Sequence, residues 1–136
     1  MSTAVAVVGL LLTLALLVWP ARPAADPLAS ARWQRRLLVV IADREGHPLL
    51  LEQRRIVAGN RTGFTERELF LVEGVGDSAQ ARALRERFGA GAGGFRAVLV
   101  GKDGGAKLQA DAPLDAPKLF ATVDSMPMRQ DETRGR

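Results

Sequence analysis

The chain has 136 residues, with 19 Lys or Arg against 15 Asp or Glu, a single His and no Cys. That length suits one domain with a leader, and the missing cysteine excludes disulfides, thiolate catalysis and cysteine-bound metal together. The formal charge of +4 is diluted by interleaved acids, with Glu52 before Arg54 and Arg55 and with Glu66 and Glu68 around Arg67. This reads as a mixed solvated surface and not as a nucleic-acid patch, which needs aromatics among its basic residues.

Ala4 to Trp19 is uncharged and nearly all apolar. At roughly 16 residues the run is short for a membrane span but matches the core of a signal peptide. Residues 1–25 are therefore expected to be a signal peptide, which places the domain in the periplasm or outside the cell. The alternative is an uncleaved anchor through residues 4–19. The arginines follow the run (Arg22, Arg32, Arg35, Arg36), so an anchor would favour a cytosolic domain. Without residues 1–25 there remain 18 basic against 15 acidic residues, a net +3.

After a short polar approach, Leu37 to Ala42 is a continuous apolar run, as in a strand buried on both faces. Asp43 to Gly46 forms a loop. Pro48 opens a helix carrying Leu49, Leu50, Ile56 and Val57 inward and stopping at Gly59 and Asn60. Glu68 to Val75 is the second strand. Asp77 and Gln80 form a capping box for a helix with an inward stripe of Ala81, Leu84 and Phe88, closed by Gly89. Ala97 to Val100 is a third buried strand, and Lys102 to Gly105 is a tight turn whose glycines tolerate positive φ. The return strand alternates, with Ala106, Leu108 and Ala110 toward the core, and so belongs at an edge. Asp115 caps a final helix with Pro117 in its first turn, and Pro127 ends it.

The order β-α-β-α-β-β-α predicts an α/β fold: a four-stranded mixed sheet with helices on both faces, the thioredoxin-like architecture. Strands joined through a helix are expected to be parallel, and the hairpin adds an antiparallel edge. Residues 26–130 form this domain, and residues 131–136 read as a disordered basic tail.

Several segments together carry a family resemblance: Trp33 through the first strand, Arg85 to Gly89, Val100 to Gly105, and Asp124 to Arg129. The chain resembles domain-of-unknown-function family 4174 over about residues 26–130. Members include small exported bacterial proteins, with related domains in animal extracellular sushi-repeat and coiled-coil-domain proteins. The resemblance implies a thioredoxin-like fold and export. It also implies a suspected redox or peroxiredoxin-like activity that finds no cysteine here.

In a thioredoxin fold the reactive thiolate sits between the first strand and the next helix. Asp43, Arg44, Glu45, Gly46 and His47 occupy that place, and Gly93 and Gly94 stand where a cis-proline is expected. Thiol–disulfide exchange is excluded. Asp43, Glu45 and His47 are metal-ligand types, but three ligands on one short loop make a poor site. Gly89, Gly91 and Gly94 match a dinucleotide fingerprint in spacing only, since the stretch follows a helix and opens a strand. No catalytic, cofactor or metal residue is assigned. The expected role is a non-enzymatic binding module of the cell envelope, meeting a protein or other ligand through Asp43, Arg44, His47, Gly93 and Gly94. The alternative is an enzyme using non-thiol, metal-assisted groups on the same loop. No nucleic acid is expected, and a membrane only through the N-terminal segment.

Overall fold

The computed structural model describes residues 26–136, so the leader expected at residues 1–25 lies outside the described residues. Among the described residues no helix is long and apolar enough to cross a membrane. The strands are β1 (Arg36–Ala42), β2 (Leu69–Val75), β3 (Phe95–Val100) and β4 (Ala106–Ala110), in the sheet order β2-β1-β3-β4. Every residue of β1 is buried because the strand is central and covered on both faces. That is the physical reason for the unbroken apolar sequence from Leu37 to Ala42.

Alternation along β1 divides two cores. Leu38, Val40 and Ala42 join Ala97 and Leu99 under α2 (Pro48–Gly59), α3 (Arg61–Glu66) and α5 (Ala116–Asp124), which contribute Leu50, Phe64, Leu119 and Val123. Leu37, Val39 and Ile41 face the other way with Val98 and Val100, beneath α1 (Pro27–Ala31) and α4 (Ala79–Phe88), which supply Leu28, Leu84 and Phe88. Each Val, Leu, Ile or Phe among them that is fully removed from water contributes about 1.5–3 kcal/mol. The fold is α/β with a mixed four-stranded sheet and helices on both faces.

β1 and β2, joined through α2 and α3, are parallel, as expected. β3, however, is antiparallel to β1, although α4 connects it to β2. Val75 at the end of β2 and Phe95 at the start of β3 both pair with Ala42. The chain thus re-enters the sheet at the end it left, and a crossover that returns to its own end reverses the strand. The connector Gly89–Gly94 achieves this by folding tightly onto the start of β3: a Cβ on Gly91 would collide with the Phe95 carbonyl oxygen.

Other details differ from the sequence expectation. Ser78, not Asp77, caps α4, its hydroxyl accepting from the Ala81 N–H at 3.0 Å, while Gln80 donates to the Glu73 carbonyl. Ala106 is exposed because a register shift leaves Lys107 unpaired and turns the strand's first residue outward. Gln53 occupies a fully buried inward position on α2; it donates to the Leu114 carbonyl at 3.0 Å and accepts from the Leu114 N–H at 2.8 Å. The Asp115 cap forms as expected, accepting from Lys118 N–H at 2.8 Å. Pro127 does not end the ordered chain. It opens α6 (Pro127–Arg134), so residues 131–134, expected in a disordered tail, are helical. Proline is well suited to a first helical turn, where its missing N–H has no partner to lose.

Candidate functional site

At the end where β1 leaves the sheet, the structure brings together all five residues of the expected face. The Asp43 N–H donates to the Gly94 carbonyl at 3.0 Å. His47 caps α2, its Nδ1 accepting from the Leu49 N–H at 3.1 Å, and its Nε2 lies 2.7 Å from the Gly93 carbonyl oxygen. A ring that accepts at Nδ1 and donates at Nε2 is the neutral Nε2–H tautomer. Both nitrogens are thereby committed to backbone, and the ring packs on Phe95 at 5.8 Å. His47 is only 6% exposed. It ties α2 to the turn ahead of β3 and has no nitrogen left for a metal or a proton transfer. Asp43 and Arg44 point into solvent and pair with each other at 3.3 Å.

Glu45 turns away from this group to Arg54, at 2.8 Å, which also holds Glu73 at 2.7 Å. Those hydrogen bonds, Glu73's first, push the Arg54 guanidinium above its ordinary value. Asp43, Glu45 and His47 therefore do not converge. Among the described residues no group of three or more His, Asp or Glu side chains is placed to hold a metal.

The opposite end of the sheet holds a cluster that the sequence reading left on the surface. Arg36, at the start of β1, is 1% exposed. It donates to the Arg67 carbonyl at 2.9 Å and to both oxygens of Glu132 on α6 at 3.2 and 3.3 Å. Lys102, from the β3–β4 turn and 8% exposed, reaches Glu132 at 2.6 Å and Glu68 at 2.8 Å. Arg129, 7% exposed, donates to the Glu66 carbonyl at 2.9 Å and lies 3.5 Å from Glu132. Arg67 grips Asp124 with two bonds of 3.0 Å and lies 4.2 Å over the Phe120 ring.

The electrostatics follow from this sharing. Burial raises the Glu132 carboxyl, but hydrogen bonds from Lys102 and Arg36, with their charges, outweigh it and hold the group below the usual carboxylate range. Burial likewise lowers Lys102, while hydrogen bonds to Glu132 and Glu68 carry it above its ordinary value. Asp124 is lowered chiefly by its hydrogen bonds from Arg67. Arg36 and Glu132 are 96 positions apart, too far for any local pattern to link them. The Arg129–Glu132 pair at i,i+3 was the one local sign of the cluster.

Fold and site together describe an α/β domain whose sheet order is consistent with a thioredoxin-like fold, with a buried ionic cluster at one end and a backbone-bound histidine at the other. The chain belongs to the family described as Domain of unknown function (DUF4174), whose family model matches residues 27–132. No curated protein and no solved structure matches it. The matched span includes both stretches that meet at Glu132, the Lys102–Gly105 turn and the Met126–Arg129 entry to α6.

Proposed function

We propose that this domain is a non-enzymatic binding module, exported to the periplasm or beyond the cell and meeting an envelope protein or ligand at the β1 end of its sheet. The observation that carries the reading is His47. At the position where this architecture would present a reactive group, the only histidine of the chain spends both ring nitrogens on backbone. What that end offers a partner is the exposed Asp43–Arg44 pair beside the exposed Gly93. Open α/β sheets bind ligands at such strand ends. The enzyme alternative loses its chemistry here, since its candidate ligands point in three directions.

Export rests on the apolar run at residues 4–19; the membrane-anchored form through that run is the second arrangement. N-terminal sequencing of the protein from fractionated cells separates the two, a start beyond the apolar run marking the released form. For the contact face, affinity capture with the intact protein is compared with Asp43→Ala/Arg44→Ala. Loss of specific envelope partners supports the face. Identical capture by both forms overturns it.

A further inference from the structure

We propose that the end of the sheet opposite the His47 face rests on an anionic lipid bilayer, with Trp33, Phe70 and Met128 as apolar contacts and Arg32 and Arg35 as headgroup contacts. Four large hydrophobic side chains are exposed among the described residues, and three of them gather around the start of β1: Trp33 at 60%, Phe70 at 48% and Met128 at 39%. The Trp33 N–H donates to the Lys102 carbonyl at 2.6 Å, Phe70 stands beside Leu37 in the β1–β2 pairing, and Met128 shares a hollow with Arg36 and Lys102.

Three observations point to a bilayer. First, Trp33 is set outward against the preferences of the fold. Its φ of 67° is left-handed backbone that a bulky residue rarely adopts, and its indole is left in water. Gly or Asn would make this turn with less strain, so the choice of tryptophan points to a contact outside the domain. Indole suits the boundary between headgroups and acyl chains, with an apolar ring and one polar N–H.

Second, the charges at this end leave two arginines over. Arg36, Arg67, Lys102, Lys107 and Arg129 meet Glu66, Glu68, Asp103, Asp124 and Glu132 in ion pairs of 2.6 to 3.8 Å. Asp26 and Arg87, which line a hollow with Arg32, offset each other. Arg32 and Arg35 pair with no carboxylate among the described residues, and residues 1–25 contain neither Asp nor Glu. They lie instead over exposed rings, Arg32 at 5.4 Å from Trp33 and Arg35 at 5.0 Å from Phe70. An arginine laid along apolar surface keeps its charge at the boundary with water, where anionic headgroups meet it. Third, the chain brings this end toward a membrane. The apolar run ends at Trp19, and α1 starts at Pro27 and leads directly to Arg32 and Trp33. The intervening linker reaches at most about 25 Å, after which β1 carries the chain away toward the His47 face. The proposal does not depend on that face, but it leaves it directed away from the lipid.

The test uses the full chain carrying Trp19→Phe, which leaves Trp33 as its single tryptophan. It is reconstituted in vesicles of phosphatidylcholine, or of equal parts phosphatidylcholine and phosphatidylglycerol. The expected result is a blue-shifted Trp33 emission that brominated lipid quenches in the anionic vesicles, and less so in the neutral ones or at high salt. Arg32→Gln and Arg35→Gln alter exposed side chains, which leaves the fold intact. Each should lower the ratio of bound to free domain, read from the quenched fraction, by about fivefold, and the double variant should lose most of the quenching. Trp33 emission that stays water-like and unquenched in anionic vesicles overturns the proposal and leaves this end to a protein partner. Quenching that is equal in neutral and anionic vesicles, or unaltered in the double arginine variant, overturns it as well.

Discussion

Replacing Glu132 by Gln removes the carboxylate shared by Arg36, Lys102 and Arg129 while preserving the size of the side chain. Removing one partner of a buried ion pair costs about 3–5 kcal/mol, because the other charge stays behind uncompensated. Two features reduce that figure here. Glu132 retains 23% exposure, and its partners keep other contacts, Lys102 with Glu68 at 2.8 Å and Arg36 with the Arg67 carbonyl at 2.9 Å. The expected loss is about 2–3 kcal/mol at pH 7, or roughly 8–12 °C in Tm for a domain near this size. Glu132 titrates below the ordinary carboxylate range when folded. A depressed folded value means that its contribution is complete above the unfolded carboxylate pKa, about 4.3, and fades as pH falls through the lower folded value. The gap between wild type and Glu132→Gln should therefore be full at pH 7, shrink once pH falls below about 4.3 and the unfolded carboxyl takes up its proton, and close as pH falls through the lower folded value. Urea denaturation followed by far-UV circular dichroism from pH 7 to pH 3 measures both. A loss under about 0.5 kcal/mol at pH 7, the range of ordinary surface substitutions, would refute the buried network. So would a gap that persists unchanged at pH 3.

Gln53→Leu should destabilise by about 2–4 kcal/mol, since it strands both the N–H and the carbonyl of Leu114 in a buried position; a near-neutral melting temperature would mean that water replaces the amide. Gly93 and Gly94 both adopt left-handed φ, at 66° and 71°, yet only a Cβ on Gly94 would strike a neighbour, the Asp43 carboxylate at 2.5 Å. Gly93→Ala is thus expected to cost about 1–2 kcal/mol for the backbone alone, and Gly94→Ala measurably more. Equal costs in chemical denaturation would show that Asp43 swings clear.

Much of the architecture was legible locally. The apolar run of β1, the turn at Lys102 to Gly105 and the Asp115 cap each depend on residues a few positions apart, so periodicity and turn chemistry suffice to read them. The position of the Asp43–His47 loop at an end of the sheet was legible too, because a strand followed by a helix brings its connecting loop there. Its chemistry was not legible. Nothing in the residues around His47 says that its Nε2 will meet the carbonyl of Gly93, 46 positions away.

The sequence by itself determined the number of strands, the missing thiol chemistry and the family. Only the tertiary structure decided the direction of β3, the continuation of the chain into α6, and the fate of the charges. The physical reason is common to all three. Hydrophobic periodicity specifies which face of an element is buried but not its distant partner, and charged residues carry no such signal because most of them remain in water. Arg36, Lys102 and Arg129 are buried here because Glu132, brought by a helix that begins beyond an apparent stop at Pro127, meets them at the end of the sheet.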